Sequence, residues 1–244
     1  MNPDLYPDVA AAGSLAAALE SAAAELAVDV ALVPGTRGDA ASAGIAVSAG
    51  TMPVRRPLRV HLGAEKRWFW LSGRSLGVEM ITGGTADIQE VIRAATAWGS
   101  GRSPRELRER FPFLASSELA EAHEHGAEAV VGLQWRWLRE RAAGEAEFTG
   151  FGLLVEAAGA EPRLRQLSPV VSHRVLVFRP RTGFPCGVVL AIAPAYDGRP
   201  YRVQRFPHGG LIAEAGTAEE AVALAVAHLP ADLGPAVLGS DEDA

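Results

Sequence analysis

The chain has 244 residues, of which 48% are hydrophobic and 21% are charged, and its formal net charge is −6 at pH 7. This composition is typical of a globular protein that is long enough to bury a good core, as one large domain or two small ones. The acidic balance offers no broad basic footprint, which argues against nucleic acid as a partner.

Cysteine content and the amino terminus indicate a cytoplasmic protein. Cys186 is the only cysteine, so no internal disulfide can form. Asp4 and Asp8 stand where a signal peptide carries positive charge, and no apolar run reaches the length of a membrane span. All but one of the 23 basic residues are arginines, and alanine and glycine abound, which indicates a GC-rich genome of the actinobacterial kind.

Residues 1–100 are predicted to form an α+β lobe. Ser14 precedes an apolar stripe at helical spacing and suits the N-cap of a first helix. Runs of β-branched and aromatic residues predict three strands, over 58–62, 67–72 and 77–81. The third strand ends at Gly84, and Thr85 is expected to cap a helix over 86–98.

Trp68 and Trp70 alternate with Phe69 and Leu71 in the second of these strands. Alternation places the two tryptophans on one face of the sheet and the other pair on the opposite face. Either both faces are covered, or one face exposes an aromatic patch. Trp68 and Trp70 are therefore candidate peptide-binding residues.

Residues 101–145 are predicted to be a helical connector. Ser103 and Glu106 have the spacing of a capping box, with a proline between them at the first helical position. A later helix, over 127–143, carries apolar residues most of the way round, which favours burial between lobes or in a homodimer. His123 and His125 do not share a helix face, which disfavours a metal site there.

A second α+β lobe is predicted over 146–232, followed by an acidic disordered tail over 233–244. Strands are expected over 170–178, 187–192, 201–206 and 211–215, with Asp197-Gly198 as a hairpin turn. Thr217 and Glu220 have capping-box spacing at the start of the last helix. Because this strand-Gly-Thr-helix unit repeats the one near residue 84, the sequence predicts an α+β fold. It consists of two small lobes, each an antiparallel sheet packed by a helix, joined by a helical segment.

The strand over 170–178 and the segments after it supply polar side chains that could form a site at one sheet edge. The candidates are His173, Arg174, Arg181, Tyr201 and His208. Histidine suits proton transfer near neutral pH, arginine stabilises a developing oxyanion, and tyrosine donates a proton. Each also has a structural interpretation: a core histidine, surface ion pairs, a packed tyrosine and a loop histidine.

Several catalytic motifs are absent from the sequence. It lacks a P-loop, a dinucleotide fingerprint, HExxH, CxxC and the GxSxG elbow. One cysteine cannot build a thiolate zinc site, so neither a cofactor nor a metal is predicted. Cys186 as a nucleophile would need His173 as its base.

Several segments resemble one protein family. In the second half they are SHRVLVF, RTGFP, PYRV and GTAEEAVALAVAHLP, and upstream in the same order they are GTADIQEVIRAATAW, SPRELRERFPFL and SELAEAHEHG. These segments resemble the DUF6193 family of natural product biosynthesis proteins, from about Leu5 to Pro230. Two features depart from the family pattern: Cys186 replaces an expected aromatic residue, and the 194–199 segment has an unusual length.

The resemblance implies the tailoring of a ribosomally made peptide, with the class V lanthipeptide pathway as the sharper expectation. In that pathway a kinase-like protein and a lyase dehydrate serine and threonine, and a third protein is needed for thioether closure. Because this chain lacks nucleotide-binding motifs, the expected role is a lyase-class, metal-independent cyclase. It would add a substrate cysteine thiol to a dehydroamino acid.

In that hypothesis His173 is the base, Arg174 or Arg181 stabilises the enolate, and the proton donor is Tyr201 or His208. The expected partners are the precursor peptide and the kinase-like and lyase proteins. An alternative from another class is a non-catalytic scaffold that binds the precursor peptide. Its binding residues would be Trp68, Trp70 and Phe184, with Trp98, Trp135 and Trp137 as further tryptophans of interest.

Overall fold

Two antiparallel sheets organise the chain in a computed structural model, which describes residues 2–34, 39–47, 54–145, 147–183, 187–205 and 210–239. The six-stranded sheet lies in the compact unit Met1–Glu124 and the five-stranded sheet in the unit His125–Ala244. Each unit has its own hydrophobic core. The predicted α+β class with two sheet-containing lobes is therefore confirmed. The unit boundary falls within the predicted 101–145 connector, which is divided between the two units.

In the first unit each strand pairs with the next one along the chain, always antiparallel. The strands are β1 (Leu32–Pro34), β2 (Ser42–Ile45), β3 (Leu58–Leu62), β4 (Phe69–Ser75), β5 (Val78–Thr85) and β6 (Leu114–Ala115). The helices are α1 (Pro7–Ala12), α2 (Leu15–Glu25), α3 (Ile88–Gly99), α4 (Pro104–Arg110) and α5 (Glu118–Glu124). Inward-facing strand residues such as Phe69 and Leu71 are buried with Tyr6 and Trp98.

Helix starts in this unit follow local capping chemistry. Ser14 accepts a hydrogen bond from the Ala17 amide, and Ser103 and Glu106 form the predicted capping box. The prediction that Thr85 caps α3 is wrong, because the N-cap is Asp87, whose carboxylate accepts from the Gln89 amide at 2.8 Å. A short aspartate side chain reaches an amide two residues ahead, so the helix begins later than predicted.

The second unit contains the sheet β11-β10-β9-β8-β7. Its strands are β7 (Ser168–Ser172), β8 (Val175–Arg179), β9 (Leu190–Ala193), β10 (Tyr201–Gln204) and β11 (Leu211–Ala215). Its helices are α6 (Ala127–Gly144), α7 (Thr149–Ala160), α8 (Pro162–Arg165) and α9 (Ala218–Ala227). Apolar residues of α7 and α9 pack with those of the sheet, such as Phe151, Ala221, Phe178 and Ile192, in one core.

The strand predicted over 170–178 is wrong, because the chain reverses in its middle. His173 and Arg174 form a two-residue turn between β7 and β8, with φ angles of 50° and 65°. Two successive left-handed residues are the geometry of a type I′ turn, which matches the twist of the flanking strands. The usual Asn-Gly signal is missing, and the apolar alternation continues on both sides, so the pattern resembled one long strand.

Of two other local predictions in this unit, the hairpin turn is confirmed and the capping box is confirmed in part. Asp197 and Gly198 form the predicted turn, with φ angles of 50° and 75°. Thr217 caps α9 by accepting from the Glu220 amide, but the Glu220 carboxylate accepts from Gly216, one residue before the capping-box position.

The segment predicted as a disordered tail is in part built into the second unit. Ala236 is buried and its amide donates to the Gln166 carbonyl, while Val237 pairs with Arg181. Residues 240–244 lie outside the described part of the chain. No helix in the described ranges is both long and apolar enough to cross a bilayer.

Candidate functional site

Three of the predicted catalytic residues lie at one end of the second sheet. His173 and Arg174 form the turn before β8, and Tyr201 begins β10 beside the end of β9. Arg181 follows the opposite end of β8, so the length of that strand, about 17 Å, separates it from the other three. The structure therefore brings His173, Arg174 and Tyr201 to the same sheet end and leaves Arg181 apart.

Arg174 is held by two contacts at this sheet end. Its Nε donates to Glu145 Oε2 at 3.2 Å, and its guanidinium lies 3.4 Å from the centre of the Phe148 ring. Glu145 also accepts from Arg141 Nε at 2.9 Å. Hydrogen bonds from Arg141 and Arg174, in that order of size, lower the pKa of Glu145. The carboxylate is thus held ionised between two guanidinium groups.

Tyr196 extends this arrangement toward solvent. Its ring lies 5.6 Å from that of Phe148 at an interplanar angle of 38°, and 61% of the residue is exposed. Glu145, Arg174, Phe148 and Tyr196 together form a loop-end cluster drawn from three separate connections. Of these four residues only Arg174 was predicted from the sequence; Glu145, Phe148 and Tyr196 were not. The only local signal was the turn at Asp197, which returns Tyr196 to this end of the sheet.

His173 projects from an exposed turn. Its Nδ1 lies 3.3 Å from Ser172 Oγ, and the residue is open to solvent. The alternative in which His173 is a core histidine is therefore wrong. His173 is exposed because it lies in the turn between β7 and β8 and not within a strand.

Tyr201 is buried and its hydroxyl donates to the Gly150 carbonyl at 3.1 Å. Burial, with a smaller effect of the Glu219 charge, raises the pKa of Tyr201. A side chain on Gly150 would collide with the carbonyl oxygen of Ala195, so the backbone segments approach closely here. Tyr201 thus anchors the start of α7 to the β9–β10 connection.

Three predicted positions cannot be placed in this geometry. His208, Phe184 and Cys186 lie outside the described residues.

The first sheet carries a second candidate surface on its solvent-facing side. Trp70 is 44% exposed, whereas Phe69 and Leu71 beside it are buried. The Trp70 and Trp68 rings meet edge to face with centroids 6.2 Å apart. Trp70 stands between His61 on β3 and Gly84 on β5 in the strand register. We call Arg59, His61, Lys66, Trp68 and Trp70 the aromatic face.

The remaining tryptophans contribute differently. Trp98 and Trp135 are buried, and their indole nitrogens donate to the carbonyls of Arg56 at 3.1 Å and Arg165 at 2.9 Å. Both therefore belong to the cores, while Trp137 is 38% exposed. Alternation from residue 68 into β4, rather than tryptophan content, identified the face that carries exposed Trp70 and half-buried Trp68.

A buried polar cluster in the first unit contains a serine–histidine pair. His123 Nε2 lies 3.1 Å from Ser75 Oγ, and that hydroxyl donates to the Val54 carbonyl at 2.7 Å. Because the hydroxyl proton is already used, His123 must donate through Nε2, and burial lowers the pKa of His123. This orientation is opposite to the one that activates a serine nucleophile, so the pair is structural.

Arg55 completes this buried cluster. Its guanidinium donates to Glu124 Oε1 at 2.8 Å and to the Trp98 carbonyl at 3.0 Å, and it lies 4.2 Å from the Trp98 ring centre. In the described ranges no group of three or more His, Cys, Asp or Glu side chains is arranged to hold a metal ion.

Comparison with known proteins places the similarity in the second unit. A family model described as a family of unknown function, DUF6193, matches residues 129–240. Neither the curated proteins nor the solved structures gave a match. The upstream segments that resemble the family, near residues 84, 103 and 117, lie before the matched range.

Proposed function

We propose that the protein binds a polypeptide on its aromatic face and presents it to modifying enzymes, without catalysing the modification. The observation that carries this proposal is the exposure of Trp70 in the middle of a sheet face, beside Trp68. Tryptophan and arginine are enriched where proteins bind other chains, because a large ring buries much area at little conformational cost. The contact between Trp70 and Trp68, rather than one exposed ring alone, is what supports a partner at this face.

The geometry of the loop-end cluster favours binding over catalysis. The Arg174 guanidinium is engaged by Glu145 and Phe148, and the Tyr201 hydroxyl proton is directed at a backbone carbonyl. An enolate needs a free cation and a nearby acid as it forms. His173 is exposed, but these two companions are committed elsewhere.

The resemblance to the DUF6193 family supports the choice of polypeptide. A family linked to natural product biosynthesis suggests the precursor of a ribosomally made, modified peptide. The partners would then be the enzymes that act on that precursor, with the class V lanthipeptide pathway as the specific proposal.

The test uses purified protein and a dehydrated precursor peptide of the class V lanthipeptide kind. We expect binding in fluorescence anisotropy that Trp70→Ala weakens at least about tenfold, a loss of about 1.4 kcal/mol. Tyr196→Ala removes a more exposed aromatic residue from the other unit and serves as the matched control. Absence of binding, or equal affinity in Trp70→Ala, would contradict the proposal.

A second candidate function is thioether ring closure at the loop end of the second sheet. It is favoured by the shared location of His173, Arg174 and Tyr201. A substrate thiolate would add to the β-carbon of a dehydroamino acid, and the resulting enolate would take a proton at its α-carbon. Arg174 would have to leave Glu145 to contact that enolate.

The same mixture distinguishes the two functions. Loss of free thiol is followed by alkylation and mass spectrometry, against the rate without protein. Acceleration that disappears in His173→Ala, but persists in the exposed-histidine control His228→Ala, would establish the cyclase. If the protein binds the precursor tightly but leaves the rate of thiol loss unchanged, the result would support presentation without catalysis.

A further inference from the structure

The aromatic face carries positive charge in a chain whose net charge is −6. Two cross-strand rows form its centre. The row through Trp70 contains Ser42, His61, Trp70 and Gly84, and the neighbouring row contains Gly44, Arg59, Ser72, Thr82 and Ala115. Neither row includes a carboxylate. Arg59 and His61 are exposed and make no ion pair with any described residue.

We infer that the polypeptide bound here is acidic and extended, with an apolar side chain on Trp70 and a carboxylate on Arg59. This inference rests on the proposed function and names its ligand class. Arg59 lies diagonally from Trp70 across the β3–β4 pair, a spacing of about 7–8 Å. Residues i and i+2 of an extended peptide share one face at about 6.8 Å. An apolar residue followed two positions later by Glu or Asp therefore matches the two anchors.

The surroundings of Trp68 favour a peptide over single-stranded nucleic acid. Lys66 Nζ lies 4.3 Å from the centre of the Trp68 ring, and the indole edge fills the space where a side chain on Gly84 would lie. Trp70 contacts the same ring at an interplanar angle of 69°. Base-stacking surfaces present successive free rings. Of the two tryptophans only Trp70 has an exposed ring face, so this surface can contact one apolar side chain of a peptide.

The test compares three fluorescein-labelled peptides built from repeats of Leu-Ser-Glu-Ser, Leu-Ser-Gln-Ser and Leu-Ser-Lys-Ser, together with labelled oligo-dT. The whole chain is titrated into each probe and anisotropy is recorded at low and raised salt. We expect the Glu peptide to bind at least about tenfold more tightly than the Gln peptide, and the Lys peptide to bind most weakly. Salt should reduce the preference, because the charges are exposed.

Variants assign the effect to residues. Arg59→Gln should bring the affinity for the Glu peptide close to that for the Gln peptide, whereas Arg59→Lys should retain most of the preference. Arg74→Gln is the matched control, since Arg74 is an exposed arginine of β4 that stands opposite Glu79 in the register. Arg59 and Arg74 are both exposed, so core packing is unaffected.

Each other outcome overturns the inference. Equal affinity for the three peptides, or binding of the precursor without binding of the Glu peptide, removes the acidic class and leaves the proposed function standing. Tighter binding of oligo-dT identifies a nucleic-acid surface. Concentration-dependent self-association that Trp70→Ala abolishes, seen by sedimentation, identifies a second copy as the occupant. Loss of precursor binding altogether ends both proposals.

Discussion

The guanidinium of Arg174 lies 3.4 Å from the centre of the Phe148 ring, with Glu145 bonded to its Nε. This contact joins the β7–β8 turn to the connection between α6 and α7. It turns a residue that the sequence suggested for oxyanion binding into part of a local structural cluster.

Replacing Phe148 tests that structural role. We expect Phe148→Leu to lower the free energy of unfolding by about 1 kcal/mol, because the cation–π contact with Arg174 and the ring contact with Tyr196 are both lost. Urea denaturation measures the change. Leu153→Ala, an exposed apolar position on α7, should shift stability by less than about 0.5 kcal/mol. If Phe148→Leu leaves the free energy of unfolding unchanged, the loop-end cluster does not stabilise the second unit.

The left-handed turn makes a separate prediction at His173. Its φ of 50° strains a β-branched residue and suits asparagine. We expect His173→Val to reduce the free energy of unfolding by about 1 kcal/mol, and His173→Asn to preserve or slightly raise it. The measurement is the urea midpoint of unfolding of each variant, compared with that of the parent chain. The opposite order would argue against the type I′ turn.

Loss of the buried Arg55–Glu124 pair should be costly. The Arg55 side chain is fully buried and that of Glu124 is 16% exposed, hence Arg55→Ala leaves a mostly buried carboxylate without its partner. We expect a loss of about 3–5 kcal/mol in the free energy of unfolding of the first unit. Arg74→Ala, an exposed arginine of the same unit, should cost less than about 0.5 kcal/mol. Similar effects at the two positions would contradict the packing described for Arg55.

His123 should make the first unit sensitive to acid. Its pKa is lowered in the folded state by burial, so below about pH 6.5 the unfolded chain binds a proton that the folded chain does not. Stability present at neutral pH is then lost as the pH falls from that value toward the lowered pKa. The His123 imidazole contacts the Ser75 hydroxyl, and Ser75 in turn pairs with Arg55 in a β-bridge.

The measurement is the free energy of unfolding between about pH 5 and pH 8. His123→Gln should flatten the part of the slope that this imidazole contributes. Equal slopes in His123→Gln and the parent chain would refute the assignment.

Tyr201→Phe tests the anchor between β10 and α7. The variant removes the donor to the Gly150 carbonyl while keeping the ring, so a loss of about 1 kcal/mol is expected. Ultraviolet titration of the parent chain should also reveal a phenol whose pKa lies above the ordinary value near 10, and this signal should be absent from Tyr201→Phe. A thioether-forming activity abolished by Tyr201→Phe at unchanged stability would instead favour the catalytic hypothesis.

What the sequence determined by itself is the part of the structure controlled by neighbouring residues. Ser14, the Ser103–Glu106 box and the Asp197-Gly198 turn act on backbone groups within a few positions. The alternation through Trp70 likewise predicted which side chains share a strand face, because that depends only on the two-residue period of a strand.

Only the tertiary structure decided which distant groups meet. Arg174 and Glu145 are 29 positions apart, and their contact depends on how α6 and the β7–β8 hairpin pack. The separation of Arg181 from His173 depends on a turn formed by residues without the usual glycine or asparagine signal. Whether the face around Trp70 would be covered was also beyond local patterns, since burial depends on the packing of the whole chain.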